Sequence, residues 1–209
     1  MALSYPITLP SNPAGQSVEL SVRAAVGRGR NPFDQSVQLD DWGAQKIFAS
    51  ISLPPMTRAQ GEPWLAALLG AQLGDMTFLL GPMGDQATLR GAGGGTPLVN
   101  GAHAAGVNTL AVKGLTVSAS GVYLKGDWIQ LGSGSTARLH KILNDVNADG
   151  SGNATLEITP ETREAYADGA AIVTSSPKGL FRPSESEQQW LHQPGGILNG
   201  VTFLAEEAI

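Results

Sequence analysis

The 209 residues suffice for one large or two small domains, each able to bury a core, and a hydrophobic fraction of 42% is too high for a disordered chain. With no cysteine, neither a disulfide framework nor a thiolate metal site can form, and no apolar run is long enough to span a bilayer as a helix. The formal net charge of −5 is uneven: residues 1–82 and 183–209 together hold 5 Lys/Arg against 10 Asp/Glu, whereas residues 83–182 hold 8 of each, so no basic nucleic-acid-binding stripe is on offer.

Met1 leads into ALSYPITLP, which lacks a basic stretch followed by an apolar one, so a secretory signal is not expected. The first zone, 1–82, then opens with an extended segment in which Pro6, Pro10 and Pro13 forbid a helix. Val18, Leu20 and Val22 alternate with Ser17, Glu19 and Ser21, which predicts a half-buried strand over 17–26. Residues 27–32 read as a solvated Gly-rich loop carrying Arg28 and Arg30, with Arg23 nearby. Val37 and Leu39 alternate with polar neighbours, and Ile47, Ala49, Ile51 and Leu53 share one face, which predicts antiparallel strands covered on one side.

One good helix is predicted, within 53–75. Thr57 and Gln60 make a capping-box pair, and Leu65, Leu68, Leu69 and Gln72 form one stripe with Trp64 at its edge. Gly74 is the expected stop. Pro63 leaves two starts open, one at Arg58 with a lost backbone bond and one at Glu62 with Pro63 in the first turn. A strand over 76–80 completes the zone, giving a sheet with one covering helix.

Residues 83–182 change character. Gly, Ser, Asn and Asp clusters recur every eight to twelve residues, and strands are predicted at 109–112, 123–131, 138–146, 153–158 and 170–174. That spacing suggests a small inserted β-barrel. In the third zone, 183–209, Trp190 and the Gly195–Gly196 pair precede GVTFLAEEAI, whose Val201, Phe203 and Ala205 alternate with Thr202, Leu204 and Glu206. A terminal strand rarely stands alone, so it is expected to rejoin the sheet of the first zone. The fold class is therefore mainly β: a discontinuous β-sandwich hub with one α-helix from 1–82 and 183–209, plus a small OB-like β-barrel from 83–182.

Candidate chemistry is sparse. Asp145-x-Asn147-x-Asp149-Gly150 matches the first half of an EF-hand loop, but the twelfth position is Leu156 and Glu157 comes one residue late. A hairpin turn explains the same residues. The glycine runs at 91–95 and 132–135 lack a Gly-Lys-Ser/Thr ending, and Ser133 and Ser151 lie in no nucleophile elbow. His103, His140 and His192 share no metal-ligand spacing, and His140 is expected at a partly exposed strand position. Glu157, Glu161 and Glu164 could pair as carboxylates, but no run of aromatic residues marks a sugar groove. No catalytic residue, cofactor-binding residue or metal ligand is assigned, and the chain is not expected to be an enzyme.

A family resemblance lies in the order of several segments. ISLPPMTRAQGEPWLAALL at 51–69, FLLG at 78–81, GTPLVNG at 95–101, LKGDWIQLG at 124–132, DVNADGSGNATLEITPETR at 145–163 and GLFR at 179–182 together resemble the distal tail proteins of siphophages. The resemblance implies a hub domain that forms a hexameric ring at the lower end of the tail tube, with the second domain projecting outward. It also implies a virion location in the tail tip, after assembly in the host cytoplasm. The implied partners are further copies of the chain, the tail tube protein, and the tip and fibre proteins; DNA would pass through without specific binding, and no membrane is involved. No catalytic motif is carried over, and Pro63 departs from the uninterrupted helix of relatives. The alternative is a carbohydrate-binding, host-attachment module using the barrel, whose rings would be Tyr123, Trp128, Tyr166 and Phe181; another ring protein of the tail, such as the tube or terminator subunit, is a third reading.

Overall fold

A computed structural model describes residues 4–10, 17–72, 76–82, 89–185 and 187–209. In chain order the elements are β1 (Ile7–Thr8), β2 (Ser17–Arg30), β3 (Val37–Ser52), β4 (Met56–Thr57), the helix α1 (Arg58–Gln72), β5 (Phe78–Leu80), β6 (Leu98–Val99) and β7 (Thr109–Lys113). They continue with β8 (Trp128–Leu131), a 3-10 turn at Gly134–Thr136, β9 (Arg138–Ile142), β10 (Ala154–Thr159), β11 (Ile172–Val173), β12 (Gly179–Pro183), β13 (Gln189–Gln193) and β14 (Ile197–Glu207). The protein is mainly β, built on two sheets.

The larger sheet runs β1-β5-β12-β14-β3-β2, with β13 and β4 both paired to β14. Strand β14 lies at its centre, in antiparallel register with β3 from Thr202 opposite Ser52 to Glu206 opposite Phe48. The expected return of the last strand to the first zone's sheet is thus present. The second sheet runs β11-β8-β9-β10-β7-β6. A bridge between Leu98 and Ala171 brings its two end strands together, so it nearly closes into a barrel.

The helix shows how sequence becomes packing. Gln60 Oε1 accepts the Thr57 backbone N–H at 3.1 Å and its hydroxyl at 3.0 Å, so the helix begins at Arg58 and Pro63 lies inside it. Pro63 is exposed, and the bond it cannot make is on the solvent side. The buried stripe is Gly61, Trp64, Leu65, Leu68 and Ala71, with the side chain of Trp64 only 1% exposed. Trp64 is therefore central rather than marginal, and Leu69 faces solvent. A Cβ at Gly61 would collide with Leu198 of β14, so glycine lets helix and sheet approach closely. The expected helix stop at Gly74 lies outside the described residues.

Under the helix, Ile47, Ala49 and Ile51 of β3 pack with Val201, Phe203 and Ala205 of β14 and with Phe78 and Phe181. Trp128 and Leu139 of the barrel-like sheet join this same core. A second core holds Leu110, Val112, Ile129, Leu131, Ile142, Leu156 and Ile158. All four residues of β8 are buried because its two faces have different covers. Ile129 and Leu131 point into the barrel-like sheet's own core, while Trp128 docks on the larger sheet.

Three expectations are corrected. Residues 27–30 are strand, not loop: β2 pairs with β3 without a break in direction from Ser17 opposite Ser52 to Arg30 opposite Val37, with one irregularity between Ala24 and Val26. Next, β12 belongs to the larger sheet, between β5 and β14, although the composition break at 182 grouped it with the insertion. Its GLFRP sequence carries Phe181, which packs in the larger core, beside the buried Leu180. Finally, the helix is not the one cover expected for this sheet: Trp128 and Leu139 supplement it over the apolar residues of β3 and β14.

Candidate functional site

Where the two sheets meet, a polar seam crosses the apolar contact. Arg163 follows β10 and Glu207 ends β14; their side chains are 7% and 3% exposed. Arg163 Nη2 donates to Glu207 Oε2 at 2.8 Å and Nε donates to Oε1 at 3.2 Å, a bidentate fork. The Ile47 N–H donates to Glu207 Oε2 at 3.2 Å, and Arg163 also donates to the Gln45 carbonyl. Thr159 Oγ1 donates to Gln45 Oε1 at 2.8 Å. The seam thus holds β3 and β14 to the segment after β10.

His140 lies inside this region and is fully buried, which corrects the expected half-exposed position. Its register opposite Ile129 turns it inward, a direction that alternation alone did not reveal because β8 and β9 are covered on both faces. A carbonyl can only accept, so Nδ1 donates to the Pro160 oxygen at 2.7 Å and carries the proton. Burial depresses the imidazole pKa to about 4, helped by nearby Arg163 and Arg138 and opposed by the Pro160 hydrogen bond and Glu207.

The other residues of interest are dispersed. His103 Nε2 accepts the Ala111 N–H at 3.2 Å, and His192 is exposed on β13. Glu157 is exposed on β10, while Glu164 lies 3.4 Å from Arg138. Among the described residues no three His, Asp or Glu side chains gather as metal ligands. In the 145–153 loop, Asp149 Oδ1 accepts the N–H groups of Ser151 and Asn153, both at 2.8 Å. Asp145 Oδ1 accepts Lys125 N–H at 2.8 Å and Asn147 Oδ1 accepts Gly121 N–H at 2.7 Å. The oxygens that matched a cation loop face backbone donors of neighbouring segments. These bonds hold the Asp149 carboxyl below its usual range. The glycine runs serve as turns; in the first, the Gly91 N–H donates to buried Asp127 at 3.1 Å. Tyr123, Trp128, Tyr166 and Phe181 are all buried, between 0% and 7% exposed, which leaves no ring among them on the surface for a sugar. Among the described residues, no helix is long and apolar enough to cross a membrane.

Two surface features of the larger sheet stand out. One is the hairpin made by the distal halves of β2 and β3, which runs on beyond the covered part of the sheet. Its turn is well tied: Asn31 exchanges backbone bonds with Ser36 and Gln35, and Asp34 Oδ1 accepts both the N–H and the hydroxyl of Ser36, at 2.9 and 2.7 Å. Phe33 at the tip is 95% exposed, and Val37 and Leu39 are 55% and 61% exposed. The sequence signal for this arm is present in hindsight: Val26-x-Arg28-x-Arg30 and Val37-x-Leu39 alternate on either side of an Asn-Pro turn. The other feature is an open groove of about 400 Å³ on the face of the sheet opposite the helix. Glu19, Ser21, Phe48, Ser50, Glu185 and Leu204 line it, and the Arg23 guanidinium sits 4.2 Å from the centre of the Phe48 ring.

No protein-family model matches this sequence, and no curated protein matches it.

Proposed function

We propose that this chain is a structural hub of a bacteriophage tail tip, forming a ring, hexameric in the assembled particle, that joins the tail tube to the receptor-binding apparatus. The observation that carries the proposal is the projecting hairpin. A two-stranded ribbon is marginal alone in water, and this one presents three large exposed apolar side chains, Phe33, Val37 and Leu39. Such an arm is an assembly element. The long edge of β2, which among the described residues pairs with β3 alone, adds a second unsatisfied surface.

On this reading the larger sheet and its helix are the ring-forming β-sandwich domain, and the barrel-like sheet is an inserted OB-like domain that projects from it. The insertion ends before β12 rather than at 182, since β12 sits between β5 and β14. The acidic excess of the hub zones suits a channel along which DNA phosphates slide instead of binding. Burial of Tyr123, Trp128 and Tyr166, the aromatic rings of the insertion, supports a scaffold over a glycan-binding module.

Imaging of intact tail tips tests the proposal. A sixfold ring at the lower end of the tube, with residues 1–82 and 179–209 innermost, is the expected result. Finding the chain outside the particle, or as a peripheral spike with the barrel-like sheet innermost, overturns it.

A further inference from the structure

We infer that the β2–β3 hairpin of one copy seats in the outer groove of the larger sheet of the next copy, so that identical chains join head to tail. This deepens the ring reading and rests on it for the closure of the assembly, not for the contact itself.

The arm has two unlike faces. Register places Arg28 opposite Leu39 and Arg30 opposite Val37, so these four side chains share a face, while Gly27 and Gly29 share the other with Asp40 and Gln38. One face is therefore basic and apolar, while the other carries Gln38 and Asp40 beside the two glycines. Neither Arg28 nor Arg30 forms an ion pair with a described residue. The groove is complementary. Glu19 and Glu185 on its walls likewise make no ion pair with described residues, whereas Glu206 beside them is held by Lys46 and Arg182, each at 2.9 Å. Leu204, 37% exposed, and the Phe48 ring under the Arg23 guanidinium form the floor, so among the described residues Arg23 is the one cation lining the groove against the carboxylates of Glu19 and Glu185.

The two surfaces cannot meet within one chain. Glu19 and Arg28 lie on the same strand, and at ~3.3 Å per residue they are about 30 Å apart. Only a second copy can bring the basic arm to the acidic groove. Made in one direction only, the contact is heterologous, and each copy keeps one arm and one groove free for the next. That is the geometry of a ring or a filament; cross-linking that stops at dimers would mean reciprocal exchange of two arms and overturn the head-to-tail order.

The natural absence of cysteine makes the contact accessible to cross-linking in the full chain. Arg30→Cys combined with Glu185→Cys should give, on mild oxidation at high protein concentration, a ladder of dimers, trimers and higher species. Arg30→Cys combined with Glu62→Cys, on the exposed side of the helix, should stop largely at dimers. Charge reversal supplies the second arm of the test. The pair R28E/R30E and the pair E19K/E185K should each weaken self-association about tenfold in sedimentation, and mixing the two variant chains should restore it. Equal ladders from both cysteine pairs, or reversals that neither weaken association nor rescue one another, overturn the inference. If charge reversal is harmless while the sixfold ring persists in particles, the arm contact is wrong and the ring reading stands. If the chain neither cross-links nor occurs in a ring, both fall.

Discussion

Replacing Arg163 by Met isolates the energetic role of the seam between the two sheets. The change leaves the Glu207 carboxylate, 3% exposed, without its two guanidinium bonds of 2.8 and 3.2 Å. It keeps only the Ile47 N–H at 3.2 Å. An ionised carboxylate stripped of its partner in such a place costs about 3–5 kcal/mol. Glu207→Leu leaves Arg163 equally stranded, with the Gln45 carbonyl as its remaining acceptor, and should cost a similar amount. The double variant R163M/E207L removes both charges and fills the space with apolar atoms; its main loss is the acceptor for the Ile47 N–H, about 1–3 kcal/mol. The double variant should therefore be more stable than either single one. Urea unfolding, followed by the fluorescence of buried Trp64 and Trp128, measures all three, because Trp64 lies on the helix and Trp128 on the barrel-like sheet. A cost below about 1 kcal/mol for R163M, or a double variant whose cost equals the sum of the singles, would refute the reasoning.

Other outcomes follow from the same structure. His140 carries its folded pKa at about 4 against an ordinary 6.5, so the unfolded chain binds the extra proton first. Its contribution to stability is complete above pH ~6.5 and is lost as pH falls toward ~4, by roughly 3 kcal/mol in all. His140→Leu should flatten the stability profile over that window relative to wild type; an unchanged slope sinks the assignment. Asp127, fully buried, accepts the N–H groups of Arg90, Leu124 and Gly91 at 2.9, 2.8 and 3.1 Å. Asp127→Ala orphans all three and should destabilise by about 3 kcal/mol or more in thermal or urea unfolding, whereas an effect near zero contradicts the network. Calcium or a chelator should move the melting temperature by less than about a degree, since the 145–153 oxygens already serve backbone donors. A rise of several degrees that Asp145→Ala abolishes would reverse that view.

Much of the fold is legible in the chain because it is written in local periods. The alternation at Val18, Leu20 and Val22, at Ile47, Ala49 and Ile51, and at Val201, Phe203 and Ala205 determines three of the larger sheet's strands and the faces that β3 and β14 bury. Thr57 and Gln60 determine where the helix starts, and the Asp149–Asn153 turn determines the link between β9 and β10. What periods report is local exposure; they do not say which element supplies the cover. So the burial of His140, the docking of Trp128 on the other sheet's core, the placement of β12 beside β14 and the pairing of Arg163 with Glu207 were decided only in three dimensions. Each depends on residues far apart in sequence, between which no helical or strand period runs. The projecting hairpin lies between the two cases. Its alternation is local, but Gly27 and Gly29 also read as a loop, and only continuous pairing with β3 resolves them as strand.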